Sequence, residues 1–396
     1  MWRIFRNSRP FSLLEIRPES ATTSEGVGTS RRDFLRTCSI AAAAVGLPAS
    51  MVPRLAEAAT KGAKPSVIWM HFQECTGCTE SLLRTSHPTV ADLILNLVSL
   101  DYHETLMAAA GHQAEAALQA ARQTNKGKYI CVIEGAIPTK DKGIYCKVGG
   151  KTAVDSARAI ASDAAAVVAI GSCASWGGVP AAGPNPTGAT GAPEVLKDLI
   201  AAGKPMIAIP GCPPNPYNLL GTLLQFVTLG TLPELDDQHR PKWAYGRTIH
   251  EHCPRRAHFD AGRFASRFGD AGHRAGHCLY KLGCKGPMTH ANCSVNHFNE
   301  TPDAWPIGIG HPCFGCTEAK VGFTIPLHDT ATIDRPTPPD SYPTIHESGG
   351  HIAPLATGLV GIAAGALATY GLMSSKVLDS KAPPPQKPTG SGEDKP

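Results

Sequence analysis

Short apolar runs alternate with longer amphipathic stretches between residues 64 and 235. The apolar runs are flanked by Gly or Pro and predict buried strands at Val67–Phe72, Tyr129–Ile133, Ala166–Ile170 and Met206–Ile209. The intervening and following stretches predict helices at Val90–Leu100, Gln113–Gln123, Thr152–Ser162, Pro193–Ala202 and Asn218–Leu229. This alternation indicates an α/β fold, with a doubly wound parallel sheet and right-handed crossovers, over residues 64–235.

The pattern changes from residue 236 to about residue 335, where periodicity disappears and Gly, Pro, His and Cys become frequent. A long segment without regular structure is either disordered or held together by something other than helices and strands. Metal ligation can supply that hold. We therefore predict a second, Cys/His-rich domain that is held together by bound metal. When the metal is lost, this domain should unfold before the α/β domain.

The first 58 residues have the pattern of a leader. Ser30-Arg31-Arg32-Asp33-Phe34-Leu35 is typical of a twin-arginine export signal, and a mild apolar run follows from Ser39 to Leu47. Ala56-Glu57-Ala58 has the small-residue spacing of a cleavage site. Twin-arginine export carries folded proteins, so metal centres assembled in the reducing cytosol can reach the periplasm.

The chain predicts one membrane-spanning helix near its end. Residues 352–373 carry no charged side chain and are long enough to cross a bilayer, and Gly361 and Gly365 form a small-xxx-small face. A buried helix of a soluble domain is the alternative. Lysines in the polar tail, residues 374–396, place that tail in the cytoplasm and the body on the periplasmic side of the bacterial inner membrane.

Composition narrows the classes of partner and of chemistry. The net charge of +4 on 396 residues shows no basic stripe, which argues against a nucleic-acid partner. Thirteen cysteines are many, and an odd number fits a closed disulfide framework poorly. Their C-x-x-C spacings favour metal binding instead.

Four cysteines follow predicted strands and form what we call the first group. Cys75 and Cys78 come just after the strand at 67–72, while Cys173 and Cys212 follow the strands at 166–170 and 206–209. The carboxyl ends of parallel strands face one crevice, so these thiolates can meet there. Four thiolates suit a [4Fe–4S] cluster. A structural zinc site uses the same ligands, although zinc ribbons draw on two local knuckles rather than three strand ends.

Seven potential soft ligands lie in the second segment and divide into two groups. One group contains a histidine, and imidazole in place of a thiolate raises the potential of an iron–sulfur cluster. The other group has three thiolates, which fit a [3Fe–4S] cluster. We name these the second group, His250, Cys253, Cys278 and Cys284, and the third group, Cys293, Cys313 and Cys316. His252 competes with His250.

Several blocks around these cysteines resemble the small, electron-transferring subunit of nickel–iron hydrogenases. The resemblance covers roughly residues 65–320, in order and without large gaps. It is carried by E-C-T-G-C-T-E-S (74–81), G-S-C-A-S-W-G-G (171–178), G-C-P-P-N-P (211–216), R-T-I-H (247–250), C-P-R-R (253–256), C-L-Y-K-L-G-C-K-G-P (278–287) and G-H-P-C-F-G-C (310–316).

The resemblance implies a flavodoxin-like domain and a wire of three clusters. The first group would hold a proximal [4Fe–4S] cluster, the third group a medial [3Fe–4S] cluster with Pro306 where some relatives have a fourth cysteine, and the second group a distal [4Fe–4S] cluster ligated by His250. No catalytic residue is expected on this chain. By resemblance, H2 is split at a nickel–iron site on a separate large subunit, and electrons leave toward a membrane cytochrome b-type or quinone-linked acceptor.

Two departures from the family and three alternative functions complete the expectation. The segment from Thr317 to Ile345 diverges from the commonest family ending. Oxygen-tolerant relatives carry additional cysteines where this chain has Gly77 and Gly178, so we expect ordinary oxygen sensitivity. Glu74, beside the first group, has either a proton-exit role or a hydrogen-bonding role. The alternative functions are the quinone-side subunit of a complex I-like enzyme, a cytosolic H2 sensor and a structural zinc protein. The export signal argues against all three. The second domain also argues against the complex I-like subunit, the terminal span against the sensor, and the three ligand groups against the zinc protein.

Overall fold

The computed structural model describes residues 64–86, 89–94, 98–229 and 231–330, together with positions 39 and 333. The predicted span at 352–373 lies outside these residues, as does the predicted signal peptide apart from Ser39. Among the helices of the described residues, none combines the length and the apolar character needed to cross a membrane.

A five-stranded parallel sheet forms the centre of the first half of the chain. Its strands are β1 (Ser66–His71), β2 (Ser99–His103), β3 (Ile130–Glu134), β4 (Ala166–Ile170) and β5 (Met206–Ile209). They lie in the order β2-β1-β3-β4-β5, and every neighbouring pair is parallel. This order, found in flavodoxin-like sheets, opens a crevice at the carboxyl ends of the strands.

Helices connect or follow these strands, and the five longest in this part of the described chain are labelled α1 to α5. They are α1 (Gly77–Leu83), α2 (His112–Thr124), α3 (Ala153–Asp163), α4 (Gly171–Trp176) and α5 (Pro216–Leu229). Short helices also occur at Val90–Asp92, Ala192–Val195 and Lys197–Ala201. Two-residue strands pair at Ile137–Pro138 with Ala189–Thr190, and at Lys147–Val148 with Lys151–Thr152.

The two faces of the sheet bury separate apolar clusters, because successive side chains of a strand point to opposite faces. On one face, Ile68 of β1 and Ile133 of β3 pack with residues of α2 and α3 such as Leu118 and Ile160. On the other face, alternate residues of the same strands pack with α5 and with the second half of the chain. This second cluster includes Val67, Val132, Leu219, Tyr245 and Trp305.

Most predicted elements are confirmed, and one is wrong. The strands Ala166–Ile170 and Met206–Ile209 have the predicted bounds, and the other two predicted strands are shifted by one residue. The predicted helix Val90–Leu100 is instead a short helix that ends at Asp92, and Ser99 begins strand β2. Strand β2 is an edge strand with half-buried polar residues, so its sequence lacks the apolar run that marks the other four. The predicted helix Pro193–Ala202 is divided into two.

The second half of the chain, residues 231–330, has little regular structure, as predicted. Its longest helix in the described residues is Arg256–Asp260, with five residues. The others are Lys242–Tyr245, Ile249–His252, Ala271–Arg274, Tyr280–Leu282, Gly286–Met288 and Phe298–Glu300. Turns and side-chain contacts, rather than helices and strands, must therefore fix the conformation of most of this backbone.

Candidate functional site

The structure brings the first group together at the carboxyl edge of the sheet. Cys75 lies in the loop after β1, Cys78 in the first turn of α1, Cys173 in α4 directly after β4, and Cys212 just after β5. Burial, followed by the charges of Glu134 and of the three other cysteines of the group, raises the pKa of Cys78 well above its usual range. The four thiols therefore lie near one another at this edge of the sheet.

Backbone approaches the sulfur atoms closely in this group. Gly171 begins α4 with φ +82°, and a Cβ atom built on it would lie 2.4 Å from the Sγ atom of Cys78. The Ser172 N–H donates to the Gly211 carbonyl at 2.9 Å, and the Gly211 N–H donates to Ser172 Oγ at 3.0 Å. The backbone segments that carry Cys173 and Cys212 are thus tied to each other.

A buried carboxylate supports the loop that carries Cys78. Glu134 ends β3 and is only 1% exposed. Its Oε1 atom accepts from the backbone N–H groups of Cys78, at 3.0 Å, and Thr79, at 3.2 Å. Its Oε2 atom accepts from the Trp69 indole N–H at 3.0 Å. Glu134 therefore fixes the start of α1 against the sheet.

Glu74 makes hydrogen bonds beside the first group. Its Oε1 atom accepts from Thr76 Oγ1 at 3.3 Å and lies 3.3 Å from His71 Nδ1. Burial and the nearby charge of Glu134 raise the pKa of Glu74. These contacts fit the hydrogen-bonding role that the sequence allowed.

The second group lines a small cavity in the second half of the chain. His250, Cys253, Cys278 and Cys284 all face it, together with Ile307. His250 is 6% exposed, and its buried Nε2 atom has no hydrogen-bond partner among the described residues. A buried ring nitrogen without a partner is costly unless it binds something. The donor set therefore fits a metal-containing group.

The imidazole of His250 is held in the neutral form that ligation requires. Burial, and then the charge of Arg256, lower its pKa to about 4. The turn Ile249–His252 is fixed by a capping box between Thr248 and Glu251. The ring of Phe259 packs edge-on against the imidazole at 4.6 Å. His252, the competing histidine, is half-buried against Arg247 and does not line this cavity.

The third group faces a larger cavity of about 290 Å³. Cys293, Cys313 and Cys316 line it, as do Pro306 and Cys212 of the first group. Burial raises the pKa of Cys293 to about 12 and raises the pKa of Cys313 well above its usual range. An apolar cavity with three converging thiols fits a group that brings its own positive charge.

The three groups are adjacent in a fixed order. Cys212 lines the same cavity as Cys316, and Ser172 Oγ, next to Cys173, donates to the Cys316 carbonyl, which connects the first group to the third. The charges of Cys313 and Cys284 act on each other, which connects the third group to the second. The third group therefore lies in the middle.

Clustered buried thiols do not ionise readily. Burial raises the pKa of Cys173, Cys253 and Cys278 to about 12 in each case, and neighbouring cysteines raise it as well. Thiolates are the form that binds metal, and a metal cation reverses this penalty. An iron-containing centre would therefore relieve the repulsion between the thiolate charges of each group.

Among the described residues, two further cysteines lie outside the three groups. Cys131 is fully buried inside β3, as predicted for a small apolar core residue. Cys146 is half-buried in the loop before α3 and packs against the apolar cluster on that face of the sheet. Neither lines the cavities of the second and third groups.

Three polar residues that shape the site were not predicted from the sequence. Glu134 could have been suspected, because it is an acid at the carboxyl end of a predicted buried strand. Ser172 and Lys285 gave no such signal. Each is next to a cysteine, but only the folded chain shows that Ser172 hydrogen-bonds to Gly211 and that Lys285 is fully buried.

Comparison with known proteins adds two family matches. Residues 75–226 match the family described as NADH ubiquinone oxidoreductase, 20 Kd subunit. Residues 245–327 match the family described as the C-terminal part of the NiFe/NiFeSe hydrogenase small subunit. The first match covers the part of the chain that contains the first group, and the second covers the other two groups.

Whole-chain relatives agree with the second match. The chain is 51% identical to the Hydrogenase-2 small chain of Escherichia coli (strain K12) over 89% of this chain and 93% of the relative. It is 48% identical to the quinone-reactive Ni/Fe-hydrogenase small chain of Wolinella succinogenes over 74% and 82%. A solved H2-activated [NiFeSe]-hydrogenase of Dm. baculatum matches with a TM-score of 0.62 and 34% identity over 68% of this chain and 100% of that one.

Proposed function

The chain belongs to the small subunits of nickel–iron hydrogenases, and from this premise we propose that it carries electrons from H2 oxidation through three iron–sulfur clusters to an acceptor in the membrane. Small subunits of this family pair with a large subunit, which holds the catalytic site. The observation that carries the proposal is the order of the three ligand groups, first–third–second. Cys212 of the first group lines the cavity of the third group, and the backbone N–H of Lys285, next to Cys284 of the second group, donates to the Cys313 carbonyl.

Each group is assigned the centre that its ligands suit. The first group takes a [4Fe–4S] cluster, the second group a [4Fe–4S] cluster with one imidazole ligand, and the third group a [3Fe–4S] cluster. When bound, these clusters supply one-electron transfer. The chain's residues hold them, exclude water from most of the sulfur atoms, with Cys75 exposed, and set the charge around each site.

His250, rather than His252, is the imidazole ligand in this proposal. Its support is the cavity-facing position of His250 and its buried Nε2 atom without a partner among the described residues. For the third group, the support is that Pro306 lines the cavity alongside the three cysteines. Proline offers no ligand, so the site has three thiolates and suits a three-iron centre.

The acceptor is proposed to be a membrane cytochrome of the b type or another quinone-linked protein. The printed name of the Wolinella succinogenes relative describes that protein as quinone-reactive. We place the body on the periplasmic side of the inner membrane, exported by the twin-arginine signal within residues 1–58 and anchored by residues 352–373. The sequence patterns of the two segments support this placement.

The complex I-like alternative rests on the family match over residues 75–226. That match covers the first group alone. The second and third groups lie within residues 245–327, which match a hydrogenase family. Electron relay within a hydrogenase therefore accounts for all eleven ligands, and the alternative accounts for four.

Removal of residues 352–396 tests the route to the membrane. In membranes of the native host, the intact complex is expected to reduce quinone with H2. The truncated complex should appear in the soluble periplasmic fraction, reduce a soluble dye with H2 at an unchanged rate, and lose quinone reduction. A truncated complex that stays in the membrane and still reduces quinone would contradict the proposed anchor.

A further inference from the structure

Lys285 is a lysine with 0% of its surface exposed, directly after Cys284 of the second group. Lysine is almost never fully buried unless its charge is paired or hydrogen-bonded. Its Nζ atom donates to three backbone carbonyls, those of Gly283 at 3.1 Å, Pro326 at 2.9 Å and Leu327 at 3.0 Å. These three contacts indicate whether the amine of Lys285 is protonated.

Three carbonyl acceptors match the three N–H bonds of an ammonium group. A carbonyl oxygen accepts hydrogen bonds and cannot donate them, and a neutral amine has only two N–H bonds to give. The hydrogen-bond geometry therefore describes a charged side chain inside the protein.

The position of Lys285 is at the junction of two ligand groups. It follows Cys284 of the second group in sequence, and its backbone N–H donates to the Cys313 carbonyl of the third group at 2.7 Å. Its own carbonyl accepts from Thr289 Oγ1 at 2.6 Å. The side chain that faces this charge from another segment and carries an opposite charge is Asp329, which is exposed.

We propose that Lys285 is a positioning residue that places a fixed positive charge between the second and third groups and raises the reduction potentials of the clusters held there. This rests on the function proposed above. An added electron makes a cluster more negative, so a nearby cation stabilises the reduced form. Inside the protein this interaction is poorly screened by solvent and salt.

A purely structural role is the competing explanation. The three carbonyl contacts tie residues 326 and 327 to the loop around Cys284. That role needs hydrogen bonds but does not need a net charge. Variants that separate charge from hydrogen bonding therefore distinguish the two explanations.

The test is a redox titration of the purified complex, monitored by electron paramagnetic resonance of each cluster. Lys285→Met removes the charge and keeps a chain of similar length, and Lys285→Gln also keeps two N–H donors. For both, we expect the one-electron reduction equilibrium of the second- and third-group clusters to become at least about tenfold less favourable, a downward shift of ~59 mV. Lys285→Arg keeps the charge and is expected to keep both potentials.

Lys204→Met is the matched control. Lys204 also donates to two backbone carbonyls, those of Ser162 and Ala164, but at the end of α3 and away from the second half of the chain. The Lys204→Met variant should leave the reduction potential of every cluster unchanged. If Lys285→Met fails to assemble, Lys285→Gln decides the question. A Met or Gln variant with full iron content and unaltered potentials would overturn the proposal, whereas a wild-type complex without cluster signals would instead refute the proposed function.

Discussion

The Cys313→Ala variant is expected to stop electron flow without stopping H2 activation. In the purified complex, H2-dependent reduction of a membrane quinone should fall by a factor on the order of 100 or more, equal to about 2.7 kcal/mol of barrier. Exchange of D2 with solvent protons occurs on the large subunit and should persist. Both rates can be measured on one preparation.

The physical reason is the position of Cys313. It is a buried member of the middle group, and its charge interacts with that of Cys284 in the second group. Loss of this ligand removes the link between the first and second groups. Cys131→Ala is the matched control, because Cys131 is equally buried but lies inside β3, outside all three groups. If the Cys313→Ala complex still reduces quinone at the wild-type rate, the proposed electron path through three clusters is contradicted.

Gly171→Ala is expected to remove the first cluster alone. The Cβ atom of alanine would lie 2.4 Å from the Cys78 sulfur. A free cysteine side chain can rotate away from such a contact, whereas a sulfur bound to a cluster cannot. Iron per chain should fall by about four, from about eleven to about seven, and H2-dependent reduction of any acceptor should be lost.

Gly150→Ala separates this clash from backbone strain. Gly150 has φ +79°, close to the +82° of Gly171, but a Cβ atom built on it meets nothing within 4 Å. Both substitutions therefore place an alanine in the left-handed region, and only one crowds a cysteine. Gly150→Ala should retain all of its iron. Equal iron content in the two variants would show that Cys78 is free to move and is not a ligand.

The central sheet was predictable because four of its strands have a short apolar run. Strand β2 lacks this signal because it is an edge strand, which pairs with β1 alone among the strands of the described residues. Its Asp101 accepts hydrogen bonds from Ser66, Ser99 and Asn125 at the rim of the sheet. An edge strand can keep such polar residues, and β2 therefore has no apolar run of its own. For that reason the sequence pattern continues the predicted helix from Val90 into the first residues of β2.

That the four cysteines of the first group lie at one edge of the sheet was predictable for a different reason. Cys75 and Cys212 are 137 positions apart, yet both follow strands of one parallel sheet, and the topology of such a sheet brings strand ends together. In the second half of the chain there is no sheet to impose order among the described residues. Chain order and family resemblance indicate the grouping of its ligands, whereas only the structure shows that the N–H of Lys285, next to Cys284, donates to the Cys313 carbonyl.

Lys285 shows where sequence patterns stop being informative. A lysine beside a cysteine predicts an exposed side chain, since lysine is among the least buried residue types. Only the folded chain brings the carbonyls of residues 326 and 327 onto its ammonium group, about 40 positions away. Burial of this kind depends on tertiary contacts rather than on local pattern.

Metal content of the intact complex tests the central claim most directly. The chain should be expressed with a tag in its native host, extracted in mild detergent, and assayed for iron, nickel and zinc per chain. The account predicts about eleven irons, from two four-iron clusters and one three-iron cluster, with near-stoichiometric nickel from the co-purifying large subunit. Iron without nickel would favour the complex I-like alternative. Zinc in place of iron would contradict the electron-transfer account.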